Sequence, residues 1–178
     1  MSVDLRDEGF WDGPSQEPLA PAAGRRSGGG RVSGQRRSVS REERVESRGR
    51  ARALQALYAA DLRDITQLRR IATTVFDDLA IEPEEREIAA KLIRTLVEHG
   101  PALDTALAEV TANWRMERLG AIERSVLRLA AAELQRGDTP VRVVLQESLR
   151  LAERYGTERS ARFVNGVLDA YARRLGLL

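Results

Sequence analysis

The chain has 178 residues, of which 42% are hydrophobic, enough for one domain with a buried core. It contains no cysteine, which excludes disulfides, thiolate metal sites and thiol nucleophiles. The net charge is only +2, but every basic residue except Lys91 is an arginine, a side chain that suits phosphates and stacked bases. Because a GC-rich genome would produce the same bias, composition alone does not identify a nucleic-acid partner.

The first segment, residues 1–42, is predicted to be a disordered tail. It holds three of the six prolines and no sustained apolar periodicity, so it cannot bury enough surface to offset the entropy of ordering. Such a basic segment is usually a solvated linker, but beside an RNA-binding face it would add phosphate contacts. Its stretch over 24–41 has no acid and six arginines: Arg25, Arg26, Arg31, Arg36, Arg37 and Arg41.

Residues 43–178 are predicted to form an all-α domain, because their apolar residues recur at helical spacing. Helix one covers about 43–62 and helix two about 65–80. Pro83 suits the first turn of helix three, and Gly100-Pro101 is predicted to end that helix and to precede a shorter fourth one. The predicted core residues of helices one and two are Leu54, Leu57, Tyr58, Leu62, Leu68, Ile71, Ala72, Val75, Phe76 and Leu79.

The second half of the domain follows a connection over 113–119, in which Trp114 is predicted to anchor the two halves. Helix five, about 120–136, is apolar on most sides. A helix of that kind belongs at the centre of a domain, surrounded by the others.

Helices six and seven carry clear terminal signals. Thr139 is predicted to cap helix six, with Pro140 at its first position and Gly156 at its end. Ser160 is predicted to cap helix seven. Phe163 and Asn165 lie beside the core stripe of helix seven and therefore need another role. That stripe consists of Val164, Val167, Leu168, Tyr171 and Leu175.

The sequence contains no arrangement typical of an enzyme. It has no glycine-rich phosphate loop, no paired histidines and no nucleophile beside a base at a recognisable spacing. His99 alone makes a poor metal site, and the acids at 77–78 and 84–87 are typical of solvated helix faces. We therefore predict a non-catalytic protein without a cofactor. Because no apolar run approaches the roughly 18 to 20 residues of a membrane helix, we expect it in the cytoplasm.

A candidate RNA surface comes from arginines near two helix ends. Arg48, Arg50 and Arg52 crowd the start of helix one, and Arg159 and Arg162 flank the start of helix seven. If helix seven packs against helix one, these two sets would form one basic patch. Arginines at helix ends are also ordinary solubilising residues, so the pattern by itself leaves both interpretations open.

Three segments together resemble the NusB family of bacterial transcription antitermination factors. They are residues 51–58 (Ala-Arg-Ala-Leu-Gln-Ala-Leu-Tyr), residues 123–134 (Glu-Arg-Ser-Val-Leu-Arg-Leu-Ala, closing with Glu-Leu), and residues 140–169, which end in Phe-Val-Asn-Gly-Val-Leu-Asp. The resemblance covers about residues 44–175. It implies about seven helices in two packed sub-bundles. It also implies an adaptor that binds single-stranded boxA RNA of ribosomal RNA leaders together with NusE, a small-subunit ribosomal protein, and helps RNA polymerase to ignore terminators.

The resemblance also implies roles for individual residues. Arg50 falls on the arginine of the family's basic N-terminal motif, with Arg48 in its flank, and Arg159 falls on a loop position that borders the RNA surface. For Tyr58 and Phe163 the alternative is core packing, and for Glu123 it is an ordinary surface acid. The predicted RNA-binding residues are Arg48, Arg50, Arg52, Gln55, Arg159 and Arg162, and the predicted partner-binding residues are Tyr58, Glu123 and Phe163.

Two other interpretations remain open at this point. An RNA-binding module fused to certain ribosomal-RNA cytosine methyltransferases shares the helical pattern, but we expect no cofactor-binding α/β domain in a chain that ends at Leu178. A homodimeric helical scaffold without a direct RNA role would instead use its apolar edges for self-association. The role of Gln146 is undetermined, because residues 144–148 depart from the family's usual pattern.

Overall fold

The computed structural model describes residues 40–111, 115–157 and 159–178. Within these ranges the chain forms α-helices, two short 3₁₀ turns and no strand, which confirms the all-α prediction. The 3₁₀ turns, Ile65–Gln67 and Met116–Arg118, precede the second and fourth helices. The six helices are α1 (Arg41–Arg63), α2 (Leu68–Asp78), α3 (Pro83–Val110), α4 (Ala121–Arg136), α5 (Val141–Tyr155) and α6 (Ser160–Arg174).

α1 begins before the predicted start at residue 43 because Ser40 caps it. The Ser40 hydroxyl accepts a hydrogen bond from the Glu43 amide at 3.1 Å, and the Glu43 carboxylate accepts one from the Ser40 amide at 2.8 Å. This reciprocal capping box satisfies two amides that would otherwise lack partners. Residues 1–39, where most of the predicted tail and its arginines fall, lie outside the described residues.

α3 continues through Gly100-Pro101, so the predicted break between a third and a fourth helix is wrong. A proline in a helix removes the hydrogen bond to the carbonyl four residues earlier. Here that carbonyl belongs to Val97, and both Val97 and Pro101 are exposed, so water can replace the missing amide. His99 consequently lies inside a helix and not at a helix C-terminus.

The helices form two sub-bundles, as the resemblance implies. α1, α2 and α3 pack against one another, and α4, α5 and α6 form the second group. α4 also packs against α1 and α3, so it contacts four of the other helices, which confirms its predicted central position. Its buried side chains include Val126, Leu127, Leu129, Ala130 and Leu134.

Three leucines predicted to lie in the core are exposed: Leu62 by 58%, Leu79 by 45% and Leu175 by 42%. Each lies at or just beyond the end of its helix. Periodicity places such residues on the apolar face, but it does not indicate where the neighbouring helices stop covering that face. The rest of the predicted stripe of the last helix is buried, at Val164, Val167, Leu168 and Tyr171.

Two predicted caps are also displaced. α5 begins at Val141, and Pro140, not Thr139, occupies the position before it. Ser160 is the first residue of α6, and its hydroxyl accepts a hydrogen bond from the Thr157 amide. Gly156 ends α5 as predicted. The predicted anchor Trp114 lies outside the described residues.

Candidate nucleic-acid and partner interfaces

Two of the predicted RNA-binding arginines share a single buried carboxylate. The Glu85 side chain on α3 is only 5% exposed, and its two oxygens lie 2.5 Å from Arg48 Nε and 3.4 Å from Arg52 Nε on α1. Because Glu85 occupies the Nε position of both arginines, the terminal nitrogens of Arg48 are left without a partner among the described residues. Such nitrogens can bind phosphate oxygens.

Gln55 extends this arginine pair along the same helix face. Positions 48, 52 and 55 follow helical spacing, and Arg52 donates a hydrogen bond from Nη1 to Gln55 Oε1 at 3.1 Å. Gln55 is half-buried, and its amide nitrogen is a donor that the bond to Arg52 does not use. The set of Arg48, Arg52 and Gln55 is called the α1 face below. Glu85 holds its two arginines, and Arg52 holds Gln55.

Arg50 does not belong to the α1 face, although the sequence predicts it as an RNA contact. It is only 4% exposed. Its Nε lies 3.0 Å from each Glu133 oxygen, and Glu46 approaches to 3.4 Å. Burial on its own lowers the pKa of Arg50, but Glu133, with Glu46 and Glu147, raises it overall. Arg50 is therefore a permanently charged link between α1 and α4, and its guanidinium group is buried, unlike that of Arg48.

A neighbouring set of polar contacts fastens α1 to α5. Glu147 is buried, accepts a hydrogen bond from the Ser47 hydroxyl at 2.6 Å, and pairs with Arg150 at 2.7 Å. Glu133 and Glu147 were both missed as structural residues. The signal for Glu133 was an acid that directly follows the apolar run 129–132 of α4, since a buried acid requires a cationic partner.

The predicted second set of arginines lies elsewhere on the molecule. Arg159 and Arg162 are exposed and have no ion-pair partner among the described residues. α6 packs on α5, α4 and α3 and makes no extensive contact with α1, so the condition under which the two sets of arginines would form one basic patch is not met. Ser160, at the start of α6, bonds to Glu123 near the start of α4, whereas Arg50 of α1 bonds to Glu133 near the end of α4. These two points are about 15 Å apart along α4.

The predicted partner-binding residues lie at or near the start of α4, and Ser160 and Asp61 connect the elements that carry them. The Glu123 carboxylate accepts a hydrogen bond from the Ser160 hydroxyl, and Phe163 lies one turn further along α6, half-buried at the edge of the core. Tyr58 is also half-buried, one turn before Asp61 on α1, and Asp61 binds the residue next to Glu123. The set of Tyr58, Glu123 and Phe163 is called the aromatic–acidic cluster below.

Asp61 fixes this end of α1 to the neighbouring helices. Its side chain is 6% exposed and lies 2.5 Å from Arg124 and 2.6 Å from Arg128, and Arg128 also binds Asp104 of α3 at 2.8 Å. Burial alone raises the pKa of Asp61, but the hydrogen bonds and charges of the two arginines outweigh it and hold the pKa below its ordinary value. The Asp61 carboxylate thus joins α1 to α4, and Arg128 extends the link to α3.

The described ranges contain neither a membrane-spanning helix nor a group of metal ligands. None of the helices there is both long and apolar enough to cross a membrane. In the same part of the chain, no three acidic or histidine side chains are grouped as a metal ion would require.

The sequence model of the NusB family matches residues 47–173. The chain belongs to the NusB family. The transcription antitermination protein NusB of Anaeromyxobacter dehalogenans is 43% identical over 135 residues, which cover 71% of this chain and 89% of that protein. The NusB of Sorangium cellulosum is 40% identical over 133 residues, covering 74% and 94% respectively. Antitermination is thus the activity for which these curated relatives are named.

Solved NusB structures have the same fold. NusB of T. maritima is 33% identical, with a TM-score of 0.66, covering 72% of this chain and 90% of that one. A structure of the antitermination factors NusB and NusE in complex with dsRNA matches with 30% identity and a TM-score of 0.67, covering 74% and 98%. The NusB match over 47–173 contains both the α1 face and the aromatic–acidic cluster, and leaves the whole of the predicted tail, residues 1–42, outside.

Proposed function

We propose that this NusB-family protein is a non-catalytic adaptor that binds boxA RNA of ribosomal RNA leaders as a single strand, together with NusE, and so promotes ribosomal RNA transcription. The observation that carries the RNA part is the α1 face, where buried Glu85 holds Arg48 and Arg52 by their Nε atoms. The solved relative that contains NusE and RNA supports both partners.

The α1 face suits an RNA strand for a physical reason. Arginine side chains that are already ordered lose less rotamer entropy when a phosphate binds them. The adjacent Gln55 amide offers hydrogen bonds that a splayed base can use. Arg159 and Arg162, at the other end of α4, would contact phosphates further along the same strand, so the proposed RNA path crosses the domain.

The aromatic–acidic cluster is the proposed contact for NusE. Half-buried rings such as Tyr58 and Phe163 can bury more apolar area against a partner without a large ordering cost, and residues of this kind dominate many interfaces. Glu123 adds a charge that would pair with a basic residue of the partner. Because Arg159 and Arg162 border this cluster, RNA and NusE would bind next to each other.

The direct test of the RNA part is the salt dependence of binding for Arg48→Ala. Loss of one phosphate contact should lower the slope of log affinity against log salt by about one. Thermal unfolding should change little, because the Arg48 side chain is 54% exposed and Glu85 keeps Arg52. Arg94→Ala, which removes an exposed arginine of α3, is the matched control and should keep the wild-type slope.

The form of the RNA is tested with the same protein. A single strand should bind more tightly than a duplex of the same sequence, since the bases of a duplex are not free to reach Gln55. Equal affinity for both would refute the single-strand proposal. Absence of any RNA binding, with NusE present and at low salt, would refute the adaptor function and favour a scaffold without an RNA role.

A further inference from the structure

An open depression of about 420 Å³ lies along the 3₁₀ turn Ile65–Gln67 and α2, away from the α1 face. From Arg48 to Arg63, the last residue of α1, the distance along the helix is about 22 Å. The depression is lined by Thr66, Gln67, Arg69, Arg70, Thr73 and Thr74. Neither the sequence patterns nor the proposed function above assigns these residues a role.

The arginines of this region have no acidic partner among the described residues, a feature they share with Arg159 and Arg162. Arg63, Arg69 and Arg70 are exposed, and none of their guanidinium groups has a hydrogen bond or an ion pair with any described residue. Elsewhere in the same ranges, each of the other α-helices carries at least one arginine that forms an ion pair. The nearby Asp64 carboxylate is already used, because it accepts hydrogen bonds from Thr66 and Gln67. The three arginines outnumber this one acid, so the surface is positively charged on balance.

These arginines do not serve the stability of α2. Arg69 and Arg70 lie in the first turn of that helix, which contains no acid. The helix dipole is positive at this end, so cations there are unfavourable by a small amount. α1 and α3 instead have acids in their first turns. Residues that are locally unfavourable and bring no structural benefit, such as cations at a helix N-terminus, are common in binding sites.

The hydroxyl groups of the depression can only accept hydrogen bonds from a ligand. Thr73 donates its hydroxyl proton to the Arg69 carbonyl, Thr74 donates to the Arg70 carbonyl, and Thr66 donates to Asp64. A hydroxyl has one proton and two lone pairs, so each oxygen keeps acceptor capacity after this donation. A ligand that matches the depression must therefore offer anionic groups to the arginines and hydroxyl donors to the threonines.

Ribonucleotide backbone meets both requirements, since it carries phosphates and ribose 2′-hydroxyl donors. We propose that the depression at the start of α2, with Arg63, Arg69 and Arg70, is a second RNA backbone site that binds the strand beyond the segment on the α1 face. It would distinguish RNA from DNA through the 2′-hydroxyl. This inference rests on the proposed RNA-binding function, and it adds a site that reads no base.

The test compares two RNA probes on the full chain with NusE. One is a short boxA RNA, and the other is the same RNA lengthened at either end by enough nucleotides to span the additional 22 Å or so along α1. The variant is Arg69→Ala/Arg70→Ala, and the charge-matched control is Arg94→Ala/Arg173→Ala, which alters exposed arginines of α3 and α6. Thermal unfolding of both variants verifies that they are folded.

We expect the wild type to bind one of the lengthened RNAs more tightly than the short RNA, and the variant to lose that gain. The salt slope for the lengthened RNA should fall by about two in the variant, with the short RNA unaffected. Replacing only the extension by DNA should also remove part of the gain. The control should behave as the wild type.

Each contrary outcome has a distinct meaning. No gain from either extension, or equal losses for short and long RNA in the variant, would overturn the second site while the proposed function stands. Equal binding of the RNA and DNA extensions would overturn the proposal that the site recognises the ribose 2′-hydroxyl. No binding of either RNA by the wild type would refute the proposed function, and the second site with it.

Discussion

Replacing Glu85 by glutamine should weaken RNA binding, although it makes the protein more positive. Glutamine keeps the size of the side chain but offers only one acceptor oxygen, so it cannot hold the Nε atoms of both Arg48 and Arg52. At least one arginine is then released to sample other rotamers. Removing the negative charge should strengthen RNA binding, whereas disorder of the arginines should weaken it. The relative size of these two effects decides whether RNA affinity rises or falls.

The charge contribution is the smaller of the two. A carboxylate about 7 Å from a bound phosphate repels it by roughly 0.6 kcal/mol at the dielectric constant of water, and by more near the protein, but salt reduces the effect. An arginine carries about 2 kcal/mol of rotamer entropy, so partial release of two arginines costs about 1 to 3 kcal/mol. We expect a net loss of about 1 kcal/mol in binding, or roughly five-fold in Kd.

The assay is a fluorescence anisotropy titration of labelled boxA RNA at moderate salt. The matched control is Glu84→Gln, because Glu84 is the next residue, carries the same charge and is 61% exposed, with only a 3.4 Å pair to exposed Arg41. The control should bind as tightly as the wild type or slightly more tightly. If Glu85→Gln binds RNA as tightly as Glu84→Gln, the buried carboxylate does not prepare the arginines for phosphate.

Three further predictions concern other parts of the fold. Asp61→Asn should lower the unfolding free energy at pH 7 by about 2 to 4 kcal/mol, and urea titrations should find its stability less acid-sensitive than that of the wild type. Because the pKa of Asp61 is lowered in the folded protein, its ion pairs stabilise the fold at pH values above its ordinary pKa of 3.8, and this stabilisation is lost as the pH falls below 3.8. Equal acid sensitivity in both proteins would contradict this. Gly49→Ala should destabilise by about 1 to 3 kcal/mol in thermal unfolding, because its methyl group would lie 2.7 Å from Ile88, whereas Gly100→Ala has open space and should stabilise by up to about 1 kcal/mol; a gain at both positions would contradict the close helix contact. Phe163→Ala should weaken NusE binding at least ten-fold in calorimetry and leave RNA binding without NusE unchanged, and equal losses in both would argue for a structural role.

Much of the fold could be predicted because its information is local. Helical periodicity gave the all-α class, the central position of α4 and most of the buried stripe of α6. The break expected at Gly100-Pro101 failed for a physical reason. A proline ends a helix only when the carbonyl it leaves unpaired has no substitute, and exposure of that turn depends on tertiary packing.

The candidate sites were less predictable, because ion pairs between distant residues decide them. Arg48, Arg50 and Arg52 form one basic motif in the sequence, but they differ in burial and in their ion-pair partners. Arg50 pairs with an acid 83 positions away and is buried, whereas Arg48 pairs with one 37 positions away and stays partly exposed. Spacing within α1 shows that Arg50 points away from Arg48 and Arg52, but it does not show which side of the helix faces the interior.

The most direct test of the central proposal is a titration of labelled boxA RNA with this protein, with and without NusE, at two salt concentrations. An arginine-lined face for RNA beside a cluster for NusE predicts that NusE tightens RNA binding and that higher salt weakens it steeply. Affinity that responds neither to NusE nor to salt would contradict this arrangement.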